Sequence, residues 1–149
     1  VKHRKAVLAV PLIIAVLLAV GCDGYKDSMN GSAKVATAVE QGIAAVRDLH
    51  TNGKITQAER NEWLLYFADV TTVNTDFRTR VRAIKAQGAT GNLAYLDVAN
   101  AALASLTSVE GKHVLKVGSS ASQAKLDLTM HLIHSVMNTL ALALQKGGN

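Results

Sequence analysis

The sequence predicts an all-α protein: an antiparallel, up-down four-helix bundle preceded by an N-terminal signal helix. Three observations carry that expectation. The only proline is Pro11, so the chain beyond it has no residue that breaks a helix by ring and missing N–H. The same stretch is rich in Ala, Leu and Val, and its apolar residues recur at steps of three and four, which places them on one helical face. Four such periodic segments are joined by short polar or glycine-bearing stretches, and short connections set successive helices side by side and antiparallel.

The first helix is expected to begin after Ser32, a suitable N-cap. Val35, Val39, Ile43, Val46 and Leu49 form its apolar face, with Lys34, Glu40, Arg47 and Asp48 off it. Asn52-Gly53 closes it, since both residues tolerate positive φ. Thr56-Gln57-Ala58-Glu59 is a capping box for the second helix, in which hydroxyl and carboxylate each serve the other residue's amide. That helix runs to about Gln87. Trp63, Phe67, Val70, Asn74, Phe77, Val81 and Ile84 alternate steps of four and three along it, the cleanest heptad seam in the chain. Gly88 and Gly91 then turn the chain.

The third helix opens at Asn92 and ends at Glu110-Gly111, with Leu96, Ala99, Leu103 and Leu106 as its stripe and Ala101, Ala102 and Ala104 as small flanks. A basic, apolar connector follows from Lys112 to Gly118. Ser120-Ala121-Ser122-Gln123 reads as a second capping box. Leu126, Met130, Ile133, Met137, Leu140 and Leu144 make the seam of the fourth helix, which runs to about Gln145. Asp127, His131, His134 and Asn138 speak against a membrane-spanning role for it.

The first 22 residues have a different character. Lys2, Arg4 and Lys5 precede an apolar run from Ala6 to Val20, which is shorter than the roughly 20 residues a spanning helix needs. Cations, an apolar core and small residues in that order are the parts of a secretory signal. The run closes on Ala19-Val20-Gly21-Cys22. This segment resembles a bacterial lipoprotein signal peptide with its lipobox. The resemblance implies cleavage after Gly21, diacylglycerol on the sulfur of Cys22, and acylation (palmitate, for example) of the new amino terminus. It further implies a location on a bacterial cell membrane, facing the periplasm or exterior. Two or more acyl chains anchor stably where one does not. Asp23 resembles the residue that retains lipoproteins in the inner membrane of enteric bacteria. The expected organisation is therefore a signal peptide over 1–21, a polar tether over 22–31 and the bundle over 32–149. The tether rests on Asp23 to Gly31 being polar, glycine-bearing and without period.

Composition bounds the function. Cys22 is the only cysteine, so the body has neither a disulfide nor a thiolate metal cluster. Of 16 Lys and Arg, three lie in the signal, which leaves 13 against 11 Asp and Glu. That near balance, without interleaved aromatics, argues against nucleic acid as a partner. No nucleophile motif, phosphate loop or HExxH stands in the chain, so no catalysis and no cofactor are expected.

The candidate contacts are few. His131 and His134, three apart on the fourth helix, with Asp127 four before His131, could touch a metal or ligand. Two polar flank residues are the plainer reading, and no metal ligand set is assigned. Asn74 occupies a seam position, where it either fixes register or meets a ligand in the core. His50 and His113 lie near turns and are expected to be solvated. Arg78, Arg82 and Lys85 form a row beside the second seam, with Asp76 positioned to pair with Arg80. The row suits a solvated face, acidic lipid headgroups or an anionic envelope polymer. Leu128, Leu132 and Leu142 fall opposite the fourth seam and point to self-association or a protein partner. The expected function is a lipid-anchored envelope protein acting as a structural or interaction module. The alternative is a module that holds a small apolar ligand or metal in the bundle core.

Overall fold

The computed structural model describes residues 23–148. They form an all-α four-helix bundle: α1 (Gly24–Thr51), α2 (Gln57–Ala86), α3 (Asn92–Lys112) and α4 (Ser120–Lys146). Each helix packs on its neighbours in sequence, and α4 closes the ring against α1. With connections this short, the helices run up, down, up and down. Across the diagonals, α1 touches α3, whereas α2 and α4 stay apart. None of the described helices is long and apolar enough to cross a membrane. The signal, Gly21 and Cys22 lie outside the described residues.

The second helix follows its sequence closely. Thr56 Oγ1 accepts from the Glu59 amide at 3.2 Å, and Glu59 Oε2 accepts from the Thr56 amide at 2.6 Å, so both halves of the capping box are present. Trp63, Phe67, Val70, Asn74, Phe77 and Val81 are buried as the seam predicts, and Tyr66 joins them. Trp63, Tyr66 and Phe67 pack ring against ring, with centroids 5.2–5.9 Å apart. The fourth seam also holds: Leu126, Ile133, Met137, Leu140 and Leu144 are buried, with Met130 half-buried. The first helix stops at Asn52-Gly53, where Gly53 adopts φ +64° and the Lys54 amide reaches back to the Leu49 carbonyl at 2.8 Å.

Three boundaries or faces differ from the sequence reading. First, residues 24–31 are not a tether. Helix α1 begins at Gly24, and its N-cap is Asp23, whose carboxylate accepts from the Tyr25 and Lys26 amides. Gly24, Ser28, Gly31 and Ser32 are buried, at helical spacing that continues into Val35. A search for apolar periodicity overlooks them because they are small, yet smallness is what the packing requires. A Cβ on Gly24 would stand 2.7 Å from Tyr95 Cδ2, and one on Gly31 would stand 2.9 Å from Leu140 Cδ2. These residues let α1 approach α3 and α4 closely.

Second, the buried face of α3 is rotated. Tyr95, Ala99, Ala102, Leu106 and Val109 are buried, while Leu96 and Leu103 are only partly so and line a groove beside α4. The alanines face inward because the diagonal approach of α1 leaves little room there. Third, the capping box assigned to Ser120 and Gln123 does not form. Ser119 is the N-cap, and its hydroxyl accepts from the Ser122 amide. The Gln123 amide group is engaged elsewhere: Oε1 accepts from the Val117 amide and Nε2 donates to the Leu115 carbonyl, which knits the α3–α4 connection to α4.

Candidate functional site

The polar side chains with the most connected surroundings gather between the middle of the bundle and the end that holds the α1–α2 and α3–α4 connections. On α2, Glu62, Tyr66 and Asp69 are spaced by four and three, so they share one face. At the other side, α3 ends at Lys112 and His113 is its C-cap, in extended backbone. That change of direction turns the imidazole back against α2. His113 Nε2 lies 3.1 Å from Asp69 Oδ2, and Nδ1 lies 3.5 Å from Glu62 Oε2. The Tyr66 ring meets the imidazole edge-on at 6.1 Å. The side chain of His113 is 12% exposed, so the expectation of a solvated histidine is overturned. Its position as a cap, and not its closeness to a turn, decides its burial.

Glu110, one turn before His113, faces α4 instead. Its Oε2 stands 3.2 Å from His134 Nε2 without hydrogen-bond geometry, a contact that is an ion pair only with the imidazole protonated. Tyr66 holds its proton well above the ordinary value near 10, first because it is buried and second because the Glu110 carboxylate opposes a phenolate. Its hydroxyl and the Trp63 indole N–H are both buried without a hydrogen-bond partner. The end is closed by Glu59, whose Oε1 accepts from the Gly118 amide at 2.7 Å, and by Lys125 at 3.5 Å from Asp48. An imidazolium donates from both nitrogens and can serve two carboxylates at once, whereas a neutral imidazole donates from one. Chemically, the arrangement links α2 to α3 through His113 and α3 to α4 through Glu110.

The residues singled out from sequence fall in different places. His134 joins this cluster through Glu110, but His131 is exposed on α4, so the two histidines do not converge. Asp127 accepts from Gln123 Nε2 at 2.8 Å and so belongs to the connection. Asn74 is buried on α2 and contacts neither histidine by hydrogen bond: Nδ2 donates to the Ser32 carbonyl at 3.1 Å, while Oδ1 has no partner. It ties α2 to the small-residue stretch of α1. Among the described residues, no group of three or more His, Cys, Asp or Glu is arranged to hold a metal ion. Leu128, Leu132 and Leu142 are exposed, at 67%, 45% and 57%.

The sequence reading missed the cluster's chief members. Glu110 and His113 stand in Glu-x-x-His spacing, which was visible in the sequence. That spacing serves a metal when both side chains point inward from one helix. Here the helix ends between them and sends the two in different directions. Compared with known proteins, the chain matches no family model, and no curated protein or solved structure is significantly similar to it.

Proposed function

We propose that this chain is a lipid-anchored protein of the bacterial cell envelope that acts by contact, as a structural or protein-interaction module. The observation that carries the reading is the order of residues at the start of the chain: Lys2, Arg4 and Lys5, the apolar run, then Ala19-Val20-Gly21-Cys22. Lipid on Cys22 would hold the bundle at a membrane surface. The contact role is supported by the leucines on the outward face of α4, which lie clear of the core seam. In this reading the histidine–carboxylate cluster ties α2, α3 and α4 together, leaving the outer flank of α4 free to meet a partner.

Intact mass of the membrane-extracted protein tests the anchor, with Cys22→Ala measured alongside. The expected result is a mass beginning at Cys22 with acyl chains added, absent from the variant. A full-length, unmodified mass would overturn the lipid anchor and leave the apolar segment as a membrane helix.

A further inference from the structure

The absence of a tether changes what the anchor would impose. Only Asp23 separates Cys22 from the first residue of α1, and one residue spans at most about 3.6 Å. A chain held in the bilayer at Cys22 therefore cannot float its bundle above the surface. The end that carries Gly24 must lie against the headgroups, and antiparallel topology decides what else is there. The α2–α3 connection and the last turns of α2 and α4 share that end.

Those turns are basic. Lys85 Nζ sits 5.5 Å from the centre of the Tyr25 ring, which places the end of α2 beside the start of α1. Arg82 and Arg78 follow one and two turns back, about 4.5 and 10 Å along the axis. Lys26 and Lys146 are exposed at the same end. None of these five cations pairs with a carboxylate among the described residues, while Arg80 is held by Asp76 at 2.9 Å. Taking each helix at its midpoint, the half containing the N-terminus holds seven Lys and Arg against four Asp, namely Asp23, Asp27, Asp76 and Asp97. The opposite half holds six cations against seven carboxylates. Near-neutral total charge thus conceals a polar molecule whose positive end is its anchored end.

We infer that the end of the bundle formed by Tyr25, Lys26, Arg78, Arg82, Lys85 and Lys146 is a docking surface for an anionic lipid bilayer, which stands the bundle upright on the membrane. The inference rests on the proposed attachment at the N-terminus. Within a Debye length of about 10 Å, these cations are close enough to anionic headgroups to be attracted. The far end, with Asp48, Glu59, Glu62 and His113, then points away from the membrane, and the outward face of α4 stands sideways, open to neighbours on the same surface.

The test uses the full chain, as extracted from membranes, in vesicles of phosphatidylcholine alone or mixed equally with phosphatidylglycerol. Thr90→Cys in the α2–α3 connection and Thr51→Cys at the opposite end, each in its own preparation, carry a fluorophore. A headgroup-located nitroxide lipid quenches whichever label lies near the surface. The expected result is several-fold stronger quenching at position 90 than at 51 in the anionic vesicles, with the contrast reduced by salt. Adding Arg78→Gln, Arg82→Gln and Lys85→Gln should reduce it likewise, at unchanged helicity by circular dichroism. Should the substituted chain lose helicity, the salt titration of the original chain stands as the measure. Equal quenching at the two positions, or a contrast indifferent to phosphatidylglycerol and salt, would overturn the docking surface while leaving the anchor intact. A chain that fails to stay with either vesicle would overturn both.

Discussion

At the scale of single residues, the core is governed as much by missing atoms as by apolar ones. Gly42 sits in mid-helix, where glycine is unfavourable by roughly 1 kcal/mol relative to alanine. Its reason is Phe67: a Cβ on Gly42 would stand 2.2 Å from Phe67 Cζ. Gly42→Ala is therefore expected to destabilise the bundle by about 1–3 kcal/mol, from overpacking against an aromatic ring that neighbouring rings hold in place. Gly111 is the counterpart. It is helical and has open space where its Cβ would stand, so Gly111→Ala should stabilise by about 0.4–1 kcal/mol. Urea denaturation of the two variants, read as midpoints at constant slope, checks the opposite signs.

Tyr66 poses a different question. Its buried hydroxyl lacks a partner, and its proton is held above the ordinary value. The sign follows from linkage. An unfolded chain releases that proton near pH 10, while the folded chain keeps it, so the folded state binds more protons and stability falls as pH rises through and above 10. Tyr66→Phe removes both the unpaired hydroxyl and this dependence. It should be neutral or stabilising by about 1 kcal/mol at pH 7. It should also flatten the alkaline limb of a pH–stability curve, and a limb as steep as before would refute this account.

At the scale of elements, the helices are set by their ends. The Thr56–Glu59 box opens α2, and the second oxygen of Glu59 reaches Gly118, so one side chain closes a helix terminus and a connection 59 residues away. Thr56→Ala should cost about 1 kcal/mol. The Glu59 carboxylate is held below its ordinary 4.5, chiefly by the backbone amide of Thr56, then by its hydroxyl and the Gly118 amide. A carboxylate with a depressed pKa stabilises above its unfolded value and loses that contribution as pH falls through its folded value. Acid should therefore loosen this end of the bundle first, below about pH 4.5. Hydrogen exchange at Thr56 and Gly118, followed with falling pH, should report faster opening there than at the end of α2, where Gly88 turns the chain by backbone geometry alone. Equal acceleration at both ends would count against the role of Glu59.

At the scale of the whole molecule, the bundle separates its functions by face and by end. Seams on α2 and α4 fill the interior, the histidine–carboxylate cluster joins α2, α3 and α4 toward the α3–α4 connection, and the net positive charge lies toward the other end. The outward leucines of α4 contribute little to the core, so Leu128→Glu with Leu132→Glu should shift unfolding by no more than about 0.5 kcal/mol each. Under the proposed contact role, the same pair of substitutions should abolish association between chains or with a partner, measured by light scattering and by crosslinking. Intact association in the double variant would remove α4 from the contact.

The sequence by itself determined the fold class, the four helices, the seams of α2 and α4 and the capping box at Thr56. These depend on periodicity and on hydrogen bonds within one turn, which are local. Tertiary structure alone decided what the small and polar residues do. Gly24, Ser28 and Gly31 looked like a tether, and Ser32 like a cap, because their side chains carry no apolar signal, but the close approach of α3 and α4 buries them within α1. Leu96 and Leu103 looked like core until the diagonal contact between α1 and α3 turned alanines inward. His113 looked solvated until the end of α3 aimed it at two carboxylates that lie 44 and 51 positions away in the chain. In each case the deciding quantity is the distance between helices, which depends on all their side chains together and which no single stretch of sequence contains.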